Sequence, residues 1–293
     1  MMRYEAPLTL DAAIGLLASN AGNARVLAGG TDLLVQIRTD VLDPAVVVDI
    51  KKIAEVREIT EAGGGFRIGA AVTAAELKEH PRLKAMWPGL VEAANLIGST
   101  QIQGRCTLGG NLCNGSPAAD SVPALIAAGA KALLAGPKGR RSIAVEDLVL
   151  GPRKLALQPG EMVAAFELPA RAPRSGDAYL RFIPRTEMDI AVVGAGVAVT
   201  CDAAGVITAA RVALGAVAAK ALLVADASAA IIGSKLEPAA IARLEAAVRA
   251  ACKPIDDKRG TIEFRTDVAG VMARRATIIA YERAMGGTSR GGH

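Results

Sequence analysis

Two short glycine pairs place the strictest demand on this chain: "AGGTDL" (Ala28–Leu33) and "TLGGN" (Thr107–Asn111). The first follows a short apolar run and opens a stretch of helical periodicity from Asp32. Glycine permits positive φ and leaves room where a Cβ would intrude. Successive backbone N–H groups at such a strand-to-helix turn can receive an anion. "TLGGN" has the same logic, with Thr107, Asn111 and Ser116 adding side-chain donors. One glycine loop is weak evidence, because turns are common. A pair bordered by hydroxyl and amide groups is what a diphosphate bridging two lobes needs. A turn-rich surface and a cradle for a dinucleotide-type ligand both remain open on these residues alone.

The second pair begins "TLGGNLCNGSPAAD" (Thr107–Asp120), where Cys113 also raises a metal reading. The cysteines stand at 106, 113, 201 and 252, and this spacing matches no zinc or iron–sulfur signature. The two histidines, His80 and His293, supply no further ligand set, so no chain-borne metal centre is expected. Reduced thiols and the absence of a signal-peptide core in "MMRYEAPLTLD" lead us to expect a cytoplasmic protein. Asp120 would repel a diphosphate. It is therefore expected to cap the following helix, or to accept hydrogen bonds from a ribityl, ribose or ring N–H group. Pro117 fixes the turn before it.

Periodicity predicts a small α/β unit at the start: a helix over "LTLDAAIGLLAS" with Thr9 as N-cap, then strands around Val26 and over "AVVVDI". "VREITEAGGGFRIGAAV" reads as a hairpin turning at Gly63–Gly65, followed by a capping box at Thr73–Glu76. One helical segment is expected from about Leu83 to Ile97, an alanine-rich helix after Asp120, and strands over "KALLAG" and "MVAAFELP". The proline- and arginine-bearing "PARAPRSG" (169–176) is the expected domain boundary. Beyond it, three strands of an antiparallel sheet precede helices near 225–233, 238–252 and 265–285, and residues 288–293 form an expected disordered tail.

Several functions are excluded. "GAGVAV" (Gly194–Val199) lacks a third glycine and sits within an apolar strand, so close strand packing explains its glycines better than a nucleotide does. There is no P-loop, and no plausible serine–histidine or cysteine–histidine pair. Aromatics are 3% of the chain, which leaves no stacking platform for single-stranded nucleic acid. The net charge of +5 is mild, and the basic clusters "PRKL", "PKGRR" and "MARR" read as solvated charge or a face for a partner subunit. No uncharged window is long enough to span a membrane.

"YEAPLTLDAAIGLL", "VLAGGTDLLVQIR", "TLGGNLCNGSPAADSVPAL" and "AYLRFIPRTEMDIAVVGAGV" occur in this order. Together they resemble the FAD-binding medium subunits of molybdenum hydroxylases, over nearly the whole chain. The resemblance implies an α+β fold: a two-lobed FAD domain of the vanillyl-alcohol-oxidase (PCMH) type over 1–172, with lobes at about 1–52 and 53–172, then a sheet-and-helix domain over 177–287. It implies non-covalent FAD, with Val26, Leu27, Ala28, Gly29, Gly30, Thr31, Asp32 and Leu33 on one side of the diphosphate. Thr107, Leu108, Gly109, Gly110 and Asn111 would lie on the other. Asp120 would match a flavin-site aspartate, while Ile97 and Val163 would be apolar flavin contacts. Arg181 falls where a relative has lysine, and its charge would favour a reduced, anionic flavin. Asp32 stands where relatives carry glutamate or a small polar residue.

The implied role is electron transfer rather than substrate chemistry. A large subunit would hold molybdopterin and the substrate, and a small one two [2Fe–2S] clusters, in a dimer of heterotrimers. Electrons would reach this FAD and pass to NAD⁺, oxygen or a quinone. A stand-alone FAD-dependent oxidoreductase of the same fold is the alternative, with Cys106 and Cys113 the nearest candidates for covalent attachment. A flavin-free scaffold is a third reading, opposed by the intact glycine loops.

Overall fold

The computed structural model describes residues 2–185 and 188–287. The expected tail at 288–293, with His293, lies outside the described residues. The first fifty residues form β1 (Arg3–Glu5), α1 (Leu10–Ser19), β2 (Ala24–Leu27), α2 (Leu33–Arg38) and β3 (Val46–Asp49). The strands make a parallel sheet in the order β1-β3-β2. Thr9 caps α1 by accepting from the Ala12 amide at 3.2 Å, and α1 buries Leu10, Ala13 and Leu17. These pack with Val46, Val48 and Ile50 into one core.

The next segment contains β4 (Ile59–Ala62), β5 (Gly65–Gly69), α3 (Ala74–Glu79), α4 (Pro81–Met86), α5 (Pro88–Asn95), α6 (Thr100–Gln103), α7 (Leu108–Cys113) and α8 (Ser121–Ala127). It continues with β6 (Lys131–Gly136), β7 (Gly139–Ala144), α9 (Val145–Leu148), β8 (Val149–Gly151), β9 (Lys154–Leu155) and β10 (Met162–Leu168). An antiparallel sheet runs β4-β5-β10-β6-β7, while β8 and β9 form a separate hairpin. The expected capping box is present: Thr73 accepts from the Glu76 amide, and the Glu76 carboxylate accepts from the Thr73 amide. The single helix expected from Leu83 to Ile97 is broken in two. Pro88 cannot continue a helix and disfavours helical backbone at Trp87, which takes φ −130° and ψ 59°.

The last part comprises β11 (Ser175–Phe182), β12 (Val193–Cys201), β13 (Ile207–Gly215), β14 (Leu222–Leu223), α10 (Ala225–Ile231), α11 (Pro238–Ala251) and α12 (Ile262–Ala284). Its antiparallel sheet runs β11-β12-β13-β14, with α12 across β11 and β12. The "GAGVAV" stretch is strand, as expected. A Cβ at Gly196 would stand 2.6 Å from the Pro123 carbonyl oxygen, so its glycine lets β12 touch helix α8. All seven residues of α8 are buried, which makes this helix the joint between the two larger sheets.

A second joint is ionic. Arg171 donates to Asp177 at 2.8 Å, with side chains 11% and 6% exposed, and stacks over Trp87 at 4.7 Å. Arg283 on α12 donates to the Asp177 carbonyl at 2.7 Å and pairs with Glu92 of α5.

Candidate functional site

A cavity of about 810 Å³ is lined by both glycine loops, a size ordinary for a cofactor site. The first loop leaves β2 and enters α2. The second leads through Thr107 into α7. Their backbones touch: a Cβ at Gly29 would stand 2.2 Å from the Arg105 carbonyl oxygen. One at Gly109 would stand 2.5 Å from the Ala70 carbonyl oxygen. Two of the four glycines therefore serve close backbone packing, Gly29 on the chain before Thr107 and Gly109 on the chain after β5, a reason distinct from ligand approach. Gly30, at φ +78°, makes the turn itself. Thr107 also pairs with Thr73 in an isolated antiparallel bridge, which fixes the second loop to the chain after β5.

The loops present a double row of unengaged donors. Among the described residues, the amides of Gly29, Gly30, Thr31, Asp32 and Leu33 donate to no protein acceptor, nor do those of Leu108 and Gly109. Helix starts leave their first amides unpaired, and two such clusters beside one cavity offer their donors to an acceptor from outside the chain. Thr107 Oγ1 caps α7 by accepting from Gly110 N at 2.9 Å. Asn111 Oδ1 accepts from the amide and hydroxyl of Ser121 at 3.0 and 2.7 Å, which leaves Asn111 Nδ2 without a protein acceptor among the described residues.

Of the residues expected to contact a cofactor, Val26, Ala28, Gly29, Gly30, Thr31, Asp32, Leu33, Ile97, Thr107, Gly109, Gly110, Asn111 and Val163 line this cavity. Leu27, Leu108, Ser116, Asp120 and Arg181 do not. Leu27 and Leu108 are buried among protein side chains, and Ser116 Oγ accepts from the Ala118 amide at 3.2 Å. Asp120 does not cap α8, the first of the two roles expected of it. Its backbone is helical, and Asn111 supplies the cap from the neighbouring helix. The Asp120 carboxylate accepts instead from Tyr179 Oη at 3.2 Å and Arg181 Nη1 at 3.1 Å. The charge expected of Arg181 at a flavin is thus already engaged by a carboxylate. Burial lifts Asp120 to about 6, against the opposing pull of Arg181 and Tyr179.

Other wall residues had not been expected. Gln36 Nε2 donates to Asn114 Oδ1 at 2.9 Å, joining α2 to the chain after α7. Leu155, Leu157 and Met162 add apolar wall, and Arg25, Arg153 and Glu161 add charge. "PRKL" was visible as a basic cluster, but nothing in its residue types assigned Arg153 to a cavity. Cys106 and Cys113 also line it, and burial pushes their thiols up to about 11 and about 12. Burial likewise raises the Asp32 carboxyl from its ordinary value.

Among the described residues no group of histidine, cysteine, aspartate or glutamate could hold a metal ion. No helix among them is long and apolar enough to cross a membrane.

Residues 1–171 match the family model described as FAD binding domain in molybdopterin dehydrogenase. Residues 178–280 match CO dehydrogenase flavoprotein C-terminal domain. With the fold, these matches define an oxidoreductase subunit of the flavoprotein class. The carbon monoxide dehydrogenase medium chain of Hydrogenophaga pseudoflava is 33% identical over 96% of this chain and 97% of that one. The xanthine dehydrogenase FAD-binding subunit of Escherichia coli O157:H7 is 37% identical over 65% of this chain and 66% of its own length. A solved structure of reconstituted CO dehydrogenase from Oligotropha carboxidovorans superposes with a TM-score of 0.93 at 33% identity, covering 97% of this chain and 98% of that chain. The chain belongs to the FAD-binding medium subunits of molybdenum hydroxylases.

Proposed function

We propose that the cavity holds FAD non-covalently, and that the chain passes electrons from the [2Fe–2S] clusters of a small partner subunit to an external acceptor such as NAD⁺, oxygen or a quinone. A large molybdopterin subunit would oxidise the substrate, in a cytoplasmic dimer of heterotrimers. Residues 1–172 would carry the cofactor, and 177–287 would form the second domain. The single observation that carries this reading is the pair of unengaged amide clusters facing one cavity.

FAD supplies the electron chemistry that the chain's own side chains lack. The amides of Gly29 to Leu33, with Leu108, Gly109 and Asn111 Nδ2, would receive the two phosphates. Ile97, Leu155, Leu157 and Val163 would keep water from the apolar part of the ligand. Asp32, on the wall, would accept a hydrogen bond from the ligand. The cysteines remain thiols at neutral pH, a state that supports non-covalent binding.

The full chain, purified with the proteins that accompany it, tests this. A flavin spectrum, release of FAD on acid denaturation, and two further chains carrying molybdenum and iron are expected. No flavin absorption even after adding FAD would overturn the cofactor reading. A solitary chain that oxidises a substrate unaided would overturn the subunit reading.

A further inference from the structure

Arg153 lies at the tip of the β8–β9 hairpin with φ +59°, left-handed backbone that non-glycine residues adopt at a cost. Two contacts impose it. The Arg153 amide donates to the Gly115 carbonyl at 3.0 Å, and a Cβ at Gly115 would stand 2.9 Å from Arg153 N and Cα. The hairpin tip is thus pressed onto the chain leaving α7, beside the second glycine loop. Glycine at 153 would relieve the strain and keep both contacts. The position holds an arginine, whose exposed side chain stands on the cavity wall.

The charges of that wall are unevenly satisfied. Arg25 donates to the carbonyls of Gly22 and Ala24. Glu161 is held in two-pronged fashion by Arg141. Asp32 is desolvated and would not attract an anion. Arg153 is the one cation of the wall whose side chain has no protein partner among the described residues. It shares that wall with the unengaged amides of both loops.

We propose that Arg153 is a phosphate-binding residue of this cavity. Its guanidinium forms charge-assisted hydrogen bonds to the diphosphate of a dinucleotide, complementing amides that carry no net charge. This rests on the FAD reading. The diphosphate belongs either to FAD itself or to a pyridine dinucleotide approaching the mouth as electron acceptor.

The test compares the full chain with Arg153→Met, Arg153→Lys and Arg153→Gly, the last fitting the left-handed backbone if methionine hinders folding. FAD and riboflavin affinities are read from quenching of flavin fluorescence, and NAD⁺ binding to the FAD-loaded chain from calorimetry. If the phosphate is FAD's own, methionine and glycine weaken FAD about tenfold or more and lysine recovers part of the loss, while riboflavin, which has no phosphate, is unaffected. If it is the acceptor's, FAD affinity holds while NAD⁺ binding weakens by a similar factor. Unchanged affinity for both dinucleotides overturns the assignment of Arg153. A wild-type chain that binds no FAD overturns the reading beneath it.

Discussion

Arg181 Nη1 donates to Asp120 Oδ2 at 3.1 Å and to the Leu96 carbonyl at 2.7 Å, so one guanidinium ties β11 to the start of α8 and the end of α5. The two side chains are 6% and 11% exposed. Burial nonetheless raises Asp120 to about 6, above its value in an unfolded chain. The folded protein therefore holds this proton more tightly. The resulting stabilisation is full below about pH 4 and is lost as pH rises through about 6. Asp120→Asn removes that component. Denaturant midpoints for the two proteins, taken at several pH values from about 4 to 8, are expected to show a pH-dependent difference centred in this window.

Arg181→Met leaves the buried carboxylate without its cation. Breaking such a pair costs about 3–5 kcal/mol when the charge persists. Asp120 can escape part of that cost by staying protonated, so its titration moves above about 6 in the variant. Carboxyl-carbon NMR reads this directly. Reduction potentials of the FAD-loaded chain add a second measure: lower in Arg181→Met, higher in Asp120→Asn, and intermediate in the double variant. Potentials unmoved by either single change would place the pair beyond electrostatic reach of the cofactor.

Neighbouring glycines of the second loop should fail differently. Alanine at 109 meets the Ala70 carbonyl oxygen at 2.5 Å, fixed backbone that cannot swing aside. Alanine at 110 meets first the Thr107 hydroxyl at 3.1 Å, while its methyl joins the cavity wall. Gly109→Ala is expected to lower stability by about 1–3 kcal/mol. Gly110→Ala is expected to keep its unfolding midpoint within about 0.5 kcal/mol of wild type yet lose FAD affinity at least about tenfold. Paired denaturation and flavin titration separate the two.

The wall cysteines should be sluggish. With thiols at about 11 and about 12, Cys106 and Cys113 offer little thiolate at neutral pH. Iodoacetamide should label them far more slowly than a free cysteine, measured by mass spectrometry of the native chain. All FAD should appear in the supernatant after acid precipitation. Yellow colour retained in the pellet would instead reveal covalent attachment.

The Arg171–Asp177 pair should hold the two larger cores in register. Asp177→Ala leaves a nearly buried guanidinium over Trp87, with an expected loss of about 3–5 kcal/mol. Asp177→Asn, which keeps an acceptor, is expected to lose less. Tryptophan fluorescence, which reads Trp87 beside this pair, and far-ultraviolet circular dichroism, which reads the whole chain, would show separate transitions if the cores parted.

Much of this was legible in the sequence wherever local chemistry decided the outcome. Thr9 and the Thr73–Glu76 box announced helix starts because capping needs only neighbouring residues. The glycine pairs announced close backbone approach, since a Cβ at Gly29 or Gly109 would strike a carbonyl oxygen and Gly30 needs positive φ. What the sequence concealed depended on long-range contact. Asn111 capping α8, Asp120 turned toward Arg181, and Gln36 meeting Asn114 each join segments whose proximity no local pattern encodes. The break at Trp87–Pro88 was different: its signal was present, and the apolar periodicity running across it masked the proline.

Gly29 rests on Arg105, Gly109 on Ala70, and Thr107 pairs with Thr73, so protein contacts alone assemble the floor of the cavity. Backbone lying on backbone, with no side chain between, thus sets how far apart the two rows of donors stand. A methyl added at Gly29 or Gly109 would therefore strike neighbouring backbone whatever the cavity holds.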